Sequence, residues 1–278
     1  MKNKLDRFAI PYVVWMALFV VTPILLMVVY AFSSVDGGFT LDNFASMGEY
    51  LPVFTRSFKL AIIATLICLL MGYPMAYFMA KEGPRFQRVA MALIMLPMWM
   101  NFLLRTYAWM SILENNGLVN QLLGALGILD ALGVDHVQLI RTQGAVVLGM
   151  VYNYLPFMIL PIYSVIVKLD HSLLEAARDL GANSLNVFRK VIFPLSIPAI
   201  ISGVTMVFVP SVSTFAISRL LGGGEELMLG DLIEQQFLGG AYDPYLGAAI
   251  SMVMMVIVVV CMVLMNHFGE GEEQAVML

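Results

Sequence analysis

The chain has 278 residues, of which 60% are hydrophobic and only 12% charged, with a mean hydropathy of +0.87 and a formal net charge of −4. A soluble domain carries about 25% charged residues, so this composition excludes a water-soluble globular protein, and the negative balance excludes a basic nucleic-acid footprint. Membrane lipid is the expected surrounding. The two cysteines, Cys68 and Cys261, fall inside apolar runs, where a small sulfur-bearing hydrophobe implies no redox role.

Crossing the hydrocarbon takes roughly 20 predominantly apolar residues. Six runs meet that length: Ile10 to Phe32, Phe58 to Ala80, Val89 to Leu113, Gly144 to Val167, Leu195 to Ser218 and Gly247 to Phe268. None alternates polar with apolar residues, which excludes barrel strands. The expected fold is all-α, a polytopic bundle of six transmembrane helices forming a single domain over residues 1–278. Pro11 to Phe32 exceeds the length of a signal-peptide apolar region and no clean small-x-small site follows it, so it is read as a span.

Lys2, Lys4 and Arg7 precede the first run, Lys81, Arg85 and Arg88 separate the second from the third, and Lys168, Arg178, Arg189 and Lys190 separate the fourth from the fifth. These are ten of the 15 basic residues, and the positive-inside bias places both termini and residues 168–194 in the cytoplasm. The acidic tail from Glu270 to Glu273 does not bear on this assignment. On the outer side, Ser33 to Ser57 contains the turn signal Asp36-Gly37-Gly38, with Asp42 and Asn43 as candidate helix caps. Glu114 to Gln143 mixes glycines with leucines and is expected to form short amphipathic helices near the interface. Gly222 to Tyr245 reads as a glycine-bounded, partly buried helix with Leu229, Ile233 and Phe237 apolar and Glu226, Asp231 and Glu234 polar. Pro23, Pro74, Pro97, Pro156, Pro161, Pro198 and Pro210 lie inside the runs, each removing a helical hydrogen bond and favouring a kink.

The polar stretch EAARDLGANSLNVFRKVIFP, Glu175 to Pro194, stands between two strongly apolar runs. Ser172 and Glu175 have the S-x-x-E spacing of a capping box, which predicts a helix start. Leu173, Leu174, Ala177 and Leu180 recur at helical spacing, and Gly181 permits a left-handed turn. Asn183 or Ser184 then caps a second short helix before Pro194 opens the fifth run. Such a helix-turn-helix knob is too small for its own core. It docks on a partner, or lies as an amphipathic linker on lipid headgroups.

The segment resembles the EAA loop of inner-membrane permeases of bacterial ABC importers, whose pattern of Glu-Ala-Ala, glycine and proline is met by Glu175-Ala176-Ala177, Gly181 and Pro194. Val191 and Phe193 replace the usual Ile and Leu. MGYPMAYFMA, LPMWMNFLLRTYAWM, YNYLPFMILPIYSVIVKLD and FVPSVSTFAISRLLGG are similar to segments of spermidine/putrescine importer permeases, so the resemblance covers essentially the whole chain. It implies a six-span permease of type I ABC importer architecture in a bacterial inner membrane. It further implies a second permease of similar fold, a cytoplasmic ATPase homodimer that binds ATP and Mg, and an extracytoplasmic polyamine-binding protein. Glu175, Ala176, Ala177, Asp179, Gly181 and Pro194 would form the ATPase-coupling site. Glu175 would orient its helix, the two alanines would keep its surface flat, and Gly181 would turn the chain.

No G-x-x-x-x-G-K-[ST] motif occurs, so nucleotide hydrolysis is expected in a partner and the chain is expected to bind no cofactor itself. His136, His171 and His267 have no paired ligand spacing, and neither a G-x-S-x-G nor an H-E-x-x-H motif is present, so no metal site or enzyme is expected. Two other readings are a permease of this fold carrying a different small organic solute, and a self-contained secondary carrier. The latter needs midplane ionisable residues, which are scarce here.

Polar residues at membrane depth are costly unless they face a cavity or partner. Asn101 and Arg105, four apart in the third run, share a face, and Asn153 lies between Tyr152 and Tyr154. They line a pathway or a contact between permeases, or else Arg105 snorkels to the outer headgroups and Asn153 bonds neighbouring backbone. A polyamine, a flexible chain of ammonium groups, can be passed along aromatic faces. Trp99, Tyr107, Trp109, Tyr152, Tyr154, Phe208 and Phe215 supply candidates, against ordinary roles as packing or interface anchors. Among the outer carboxylates, which include Glu225 and Glu226, Asp231 and Glu234 are set in an apolar helix and are the candidates for attracting cations or meeting a binding protein.

Overall fold

The computed structural model describes residues 10–224 and 227–276. Its regular elements are all helical, and the one extended contact among the described residues is an isolated bridge between Ser33 and Phe39. In chain order, α1 (Ile10–Ala31) and α2 (Asp42–Lys81) lead into a bent pair, α3 (Pro84–Trp99) and α4 (Phe102–Leu113). Two short helices follow, α5 (Leu118–Ala125) and α6 (Ile128–Leu132), and then α7 (Gln143–Ile166), α8 (His171–Asp179) and α9 (Ser184–Ser213). The last three are α10 (Ala216–Gly222), α11 (Leu229–Leu238) and α12 (Pro244–Val276). Five helices, α1, α2, α7, α9 and Pro244–Met265 of α12, are long and apolar enough to cross a membrane. The segment Pro84–Ala125 makes a sixth, bent by 92°.

That bend corrects the reading of Val89 to Leu113 as one uninterrupted helix. Leu96–Trp99 tightens into a 3₁₀ turn around Pro97, Met100 and Asn101 are extended, and the Asn101 side-chain oxygen accepts from the amides of Leu103 and Leu104 at 2.9 and 3.4 Å. An asparagine that satisfies two otherwise orphaned amides starts a helix afresh. The fifth run is also interrupted, because Thr214 is extended and α10 begins only at Ala216. Asn43 is not a cap: its amide donates to the carbonyls of Ala31 and Ser33 at 2.9 and 3.0 Å, tying the start of α2 to the end of α1.

Two compact units are present. One holds the described residues up to Pro52 with Leu232–Val259. Its centre is Ala31 against Ala248 and Ala249, flanked by Met27, Phe44 and Met252, and Tyr30 stacks on Tyr245 with ring centroids 5.4 Å apart. Along α1, Tyr12, Trp15, Leu18 and Phe19 are exposed, as befits side chains that meet lipid.

The other unit holds Val53–Asp231 and the residues from Val260 on, with α7 at its centre. Lipid tails are as apolar as leucine, so helices at this depth associate through close packing more than through water release. Glycines permit it. Met158 of α7 fills the space where side chains at Gly72 of α2 and Gly203 of α9 would stand, at 3.0 and 2.8 Å from the positions of their missing Cβ atoms. Gly149 of α7 admits Ile217 and Leu221 of α10 in the same manner. The Tyr73 hydroxyl and the Ser196 hydroxyl lie 2.9 Å apart, joining α2 to α9 in a buried hydrogen bond.

Candidate functional site

The segment between α7 and α9 forms the helix-turn-helix expected of it, with one change at its start. Asp170, in extended conformation, is the N-cap of α8, and its carboxylate accepts from the Ser172 amide at 2.9 Å. Ser172 is therefore already inside the first turn and cannot cap it, and the Glu175 carboxylate is exposed instead of reaching back. At the other end, Gly181 has φ +80°, its amide donates to Arg178 O at 2.8 Å, and the Ala182 amide donates to Ala177 O at 3.0 Å. These are the paired bonds of a Schellman termination, which requires a left-handed residue where Gly181 stands.

Asn183 then accepts from the Asn186 amide at 2.8 Å and starts the next helix. That helix is not a separate short element: it continues through a π-helical stretch, Phe188–Ile192, into the rest of α9. Pro194 falls in the first regular turn after the wide stretch, where its missing N–H costs little. Removing the Asn183 cap costs about 1 kcal/mol locally. Hydrogen exchange should report this as roughly fivefold faster exchange at Asn186 in Asn183→Ala.

The knob has two faces. Leu174, Ala177, Ala182 and Phe188 pack against a cluster that includes Tyr73, Met79, Ile162, Val187 and Ile192. Glu175, Ala176, Asp179 and Gly181 point the other way and are exposed, together with Leu180, which is 90% exposed, and Leu173 and Leu185. Of the coupling residues named from the sequence, Pro194 alone lies within the helix that leaves the knob. Ala177 turns inward and so does not share the flat outer surface expected of the two alanines; Glu175, Ala176, Asp179 and Gly181 form a small surface edged with bare leucine side chains.

The pathway candidates are not gathered in one place. Trp99 is 85% exposed on the 3₁₀ turn, and Tyr107 is exposed on α4. Tyr154 of α7 reaches the Pro210 carbonyl at 3.4 Å and borders an open cavity of about 730 Å³ with Phe157, Leu160, Met206 and Pro210. Phe208 faces elsewhere: it is buried beside Phe58 and borders a separate apolar cavity of about 350 Å³ with Thr65, Leu69, Cys261 and Leu264. Asn153 is buried, with its amide donating to Gly149 O at 2.8 Å and its carbonyl oxygen without a hydrogen-bond partner among the described residues.

Arg105 does not snorkel. It is 9% exposed, with its guanidinium 6.0 Å from the centre of the Tyr152 ring, and that ring in turn meets Trp109 edge-on at 5.4 Å. Burial of this arginine was not legible because it depends on α4 folding back against α7 beyond the break at Asn101. Asp231 is likewise inside. It is 1% exposed, hydrogen-bonded to the Ser218 hydroxyl, 3.2 Å from the Met228 amide and 3.9 Å from Arg219 Nε. Next to it the Ser57 hydroxyl accepts from the Leu229 amide at 2.8 Å, a link across 172 positions that no local pattern reveals. Glu234 is half-buried on α11, and Glu225 and Glu226 lie outside the described residues.

The family profile described as "binding-protein-dependent transport system inner membrane component" matches residues 72–271, which takes in the whole knob and most of the packing around α7. The chain belongs to this family. It is a multi-pass inner-membrane component of a transport system, not an enzyme. The permease is 39% identical to the spermidine/putrescine transport system permease protein PotB of Haemophilus influenzae over 258 residues, covering 90% of this chain and 88% of the relative. It is also 39% identical to PotB of Escherichia coli K12 over 251 residues, covering 87% and 90%. Among solved structures, a bacterial ABC transporter involved in the import of alginate superposes with a TM-score of 0.76 at 18% identity, covering 96% of this permease and 94% of that chain. A chain of the inward-facing MetNI methionine ABC transporter superposes with a TM-score of 0.58 at 17% identity, covering 84% and 98%. At those identities the shared property is the fold.

Proposed function

We propose that this chain is one of two permease subunits of an ATP-driven importer of polyamines, with spermidine and putrescine as the substrate class. The observation that carries the reading is the 39% identity to spermidine/putrescine permeases over about nine-tenths of the chain. The partners are a second permease of similar fold, a cytoplasmic ATPase homodimer that supplies ATP and Mg chemistry, and an extracytoplasmic substrate-binding protein. Residues 168–194 and both termini face the cytoplasm, an orientation supported by the clustering of basic residues on that side.

In this reading the exposed face of the knob, from Leu173 through Glu175, Ala176 and Asp179 to Leu180, enters a groove on the ATPase. The buried face, Leu174 and Ala177, passes its displacement to α2, α7 and α9 through the cluster it packs on. Leu180 supports this assignment, since an apolar side chain held in water at the tip of a rigid turn gains by being covered. The test is uptake of labelled spermidine into vesicles holding this permease with its co-encoded partners. Uptake that requires ATP and is blocked by putrescine but not by an uncharged solute is expected. ATP-dependent machinery that ignores spermidine overturns the cargo assignment.

The open cavity beside Tyr154 is the segment of the route assigned to this subunit, with the ring face as the acceptor for an ammonium group. A desolvated cation–π contact contributes up to about 2 kcal/mol. Tyr154→Leu should therefore lower spermidine uptake several-fold, whereas Tyr154→Phe, which keeps the ring and loses only the hydroxyl's contacts to Pro210 and Thr214, should stay near the parent rate. Equal uptake by all three proteins removes Tyr154 from the route.

A further inference from the structure

Behind the knob lies a third cavity, of about 330 Å³, bounded by the end of α2, the start of α3, the end of α7 and the inner edge of α8. Its rim carries Lys81 and Arg178, and its apolar wall includes Tyr77, Ile166 and Leu174. The Lys81 ammonium lies over the Tyr77 ring, 4.1 Å from its centre, and neither Lys81 nor Arg178 has an ion-pair partner among the described residues. Glu82 also borders the cavity, so two cations stand against one carboxylate. The floor is held in place by Gln87, whose amide donates to Glu82 O at 2.8 Å and whose side-chain oxygen accepts from the Tyr163 hydroxyl at 3.1 Å.

We propose that this cavity is a phosphate-anion site, filled in the membrane by the headgroup of an anionic phospholipid. Two cations at the mouth of a pocket between membrane-spanning helices suit a phosphodiester, and the apolar wall gives the attached acyl region a surface to follow into the bilayer. Position then assigns a consequence. Lys81 ends α2 and Arg178 belongs to α8, so an anion bridging the two ties the knob to a membrane-spanning helix and stiffens the element that meets the ATPase. This regulatory consequence rests on the importer reading above, whereas the binding itself does not.

The experiment is lipid retention by the full chain purified in detergent and titrated with phosphatidylglycerol or phosphatidylcholine, read by native mass spectrometry. Each cation near an anionic headgroup contributes a factor of about five, so Lys81→Gln with Arg178→Gln should weaken phosphatidylglycerol binding by about 25-fold. Lys81→Arg, which keeps the charge, should bind as the parent does and shows that substitution at this position leaves the fold intact. Arg189→Gln with Lys190→Gln removes the same charge from the start of α9, outside the cavity lining, and should change binding less than about twofold. Equal loss in the two double variants, or equal affinity for phosphatidylcholine, overturns the site. Displacement of the lipid by millimolar inorganic phosphate overturns the lipid as its occupant. No transport step enters the measurement, so its failure and failure of the polyamine reading are separate results.

Discussion

Gly181→Val is expected to leave the permease assembled with its partners while lowering ATP-driven uptake by about tenfold. The basis is conformational. Gly181 has φ +80°, and a Cβ built there meets no atom within 4 Å, so the substitution creates no clash with neighbouring elements. What it does is disfavour the left-handed backbone, by roughly 1–2 kcal/mol for an ordinary residue and more for a β-branched one. Both Schellman bonds depend on that backbone, and with them the direction in which Leu180 and the exposed face of α8 are presented. A shift of about 1.4 kcal/mol in a conformational equilibrium is tenfold in population. Asparagine tolerates the left-handed region better, so Gly181→Asn should fall between glycine and valine. Co-purification of all subunits, ATPase rate and spermidine uptake should be measured on the same preparations. A valine variant with parental uptake per ATP hydrolysed removes the turn from the coupling mechanism.

That turn was legible because its signal is local. A glycine following an amphipathic stretch and preceding a cap-forming asparagine has few other structural uses, and Gly181 and Asn183 stand where the sequence places them. The start of the same helix was less determinate: Asp170 and Ser172 can both cap, and the choice depends on where the chain leaves α7. Length and apolarity located the membrane-crossing segments well, yet they are insensitive to continuity. Val89 to Leu113 is apolar throughout, and its break comes from Pro97 and from the ability of Asn101 to satisfy two amides of a new helix. Pro97 predicts a kink, but Asn101 reads from the sequence as a pathway or contact group, and its use as a cap is what turns the kink into a break. Arg105, Asp231 and Ser57 belong to a third class. Arg105 and Ser57 meet partners from helices far apart in the chain and Asp231 meets the neighbouring α10, so polarity alone could not distinguish a pathway group from one fixed inside the protein.

For Asp231 that distinction is testable, and the expected effect of its loss is on stability. Its carboxylate serves the Ser218 hydroxyl and the Met228 amide, and Arg219 lies within ion-pair distance. Arg219 is half-exposed, so solvent screens its share of the attraction and the hydrogen bonds dominate. Asp231→Ala leaves the Met228 amide buried without its acceptor, a cost of about 1–3 kcal/mol, and opens space at the junction of α10 and α11. For a chain of this size each kcal/mol moves the unfolding midpoint by about 2–4 °C, so a loss of several degrees is expected for the purified protein. Asp231→Asn should be milder. Turned to where Oδ2 stands, its side-chain oxygen still accepts from both the Met228 amide and the Ser218 hydroxyl, and the screened attraction to Arg219 is what is lost. A group that attracts cations from outside behaves in the opposite order: neutralising it by either substitution impairs uptake alike and leaves the midpoint where it was. A graded loss of stability, alanine below asparagine below aspartate, therefore identifies Asp231 as the internal brace between α10 and α11, with no part in drawing substrate to the permease.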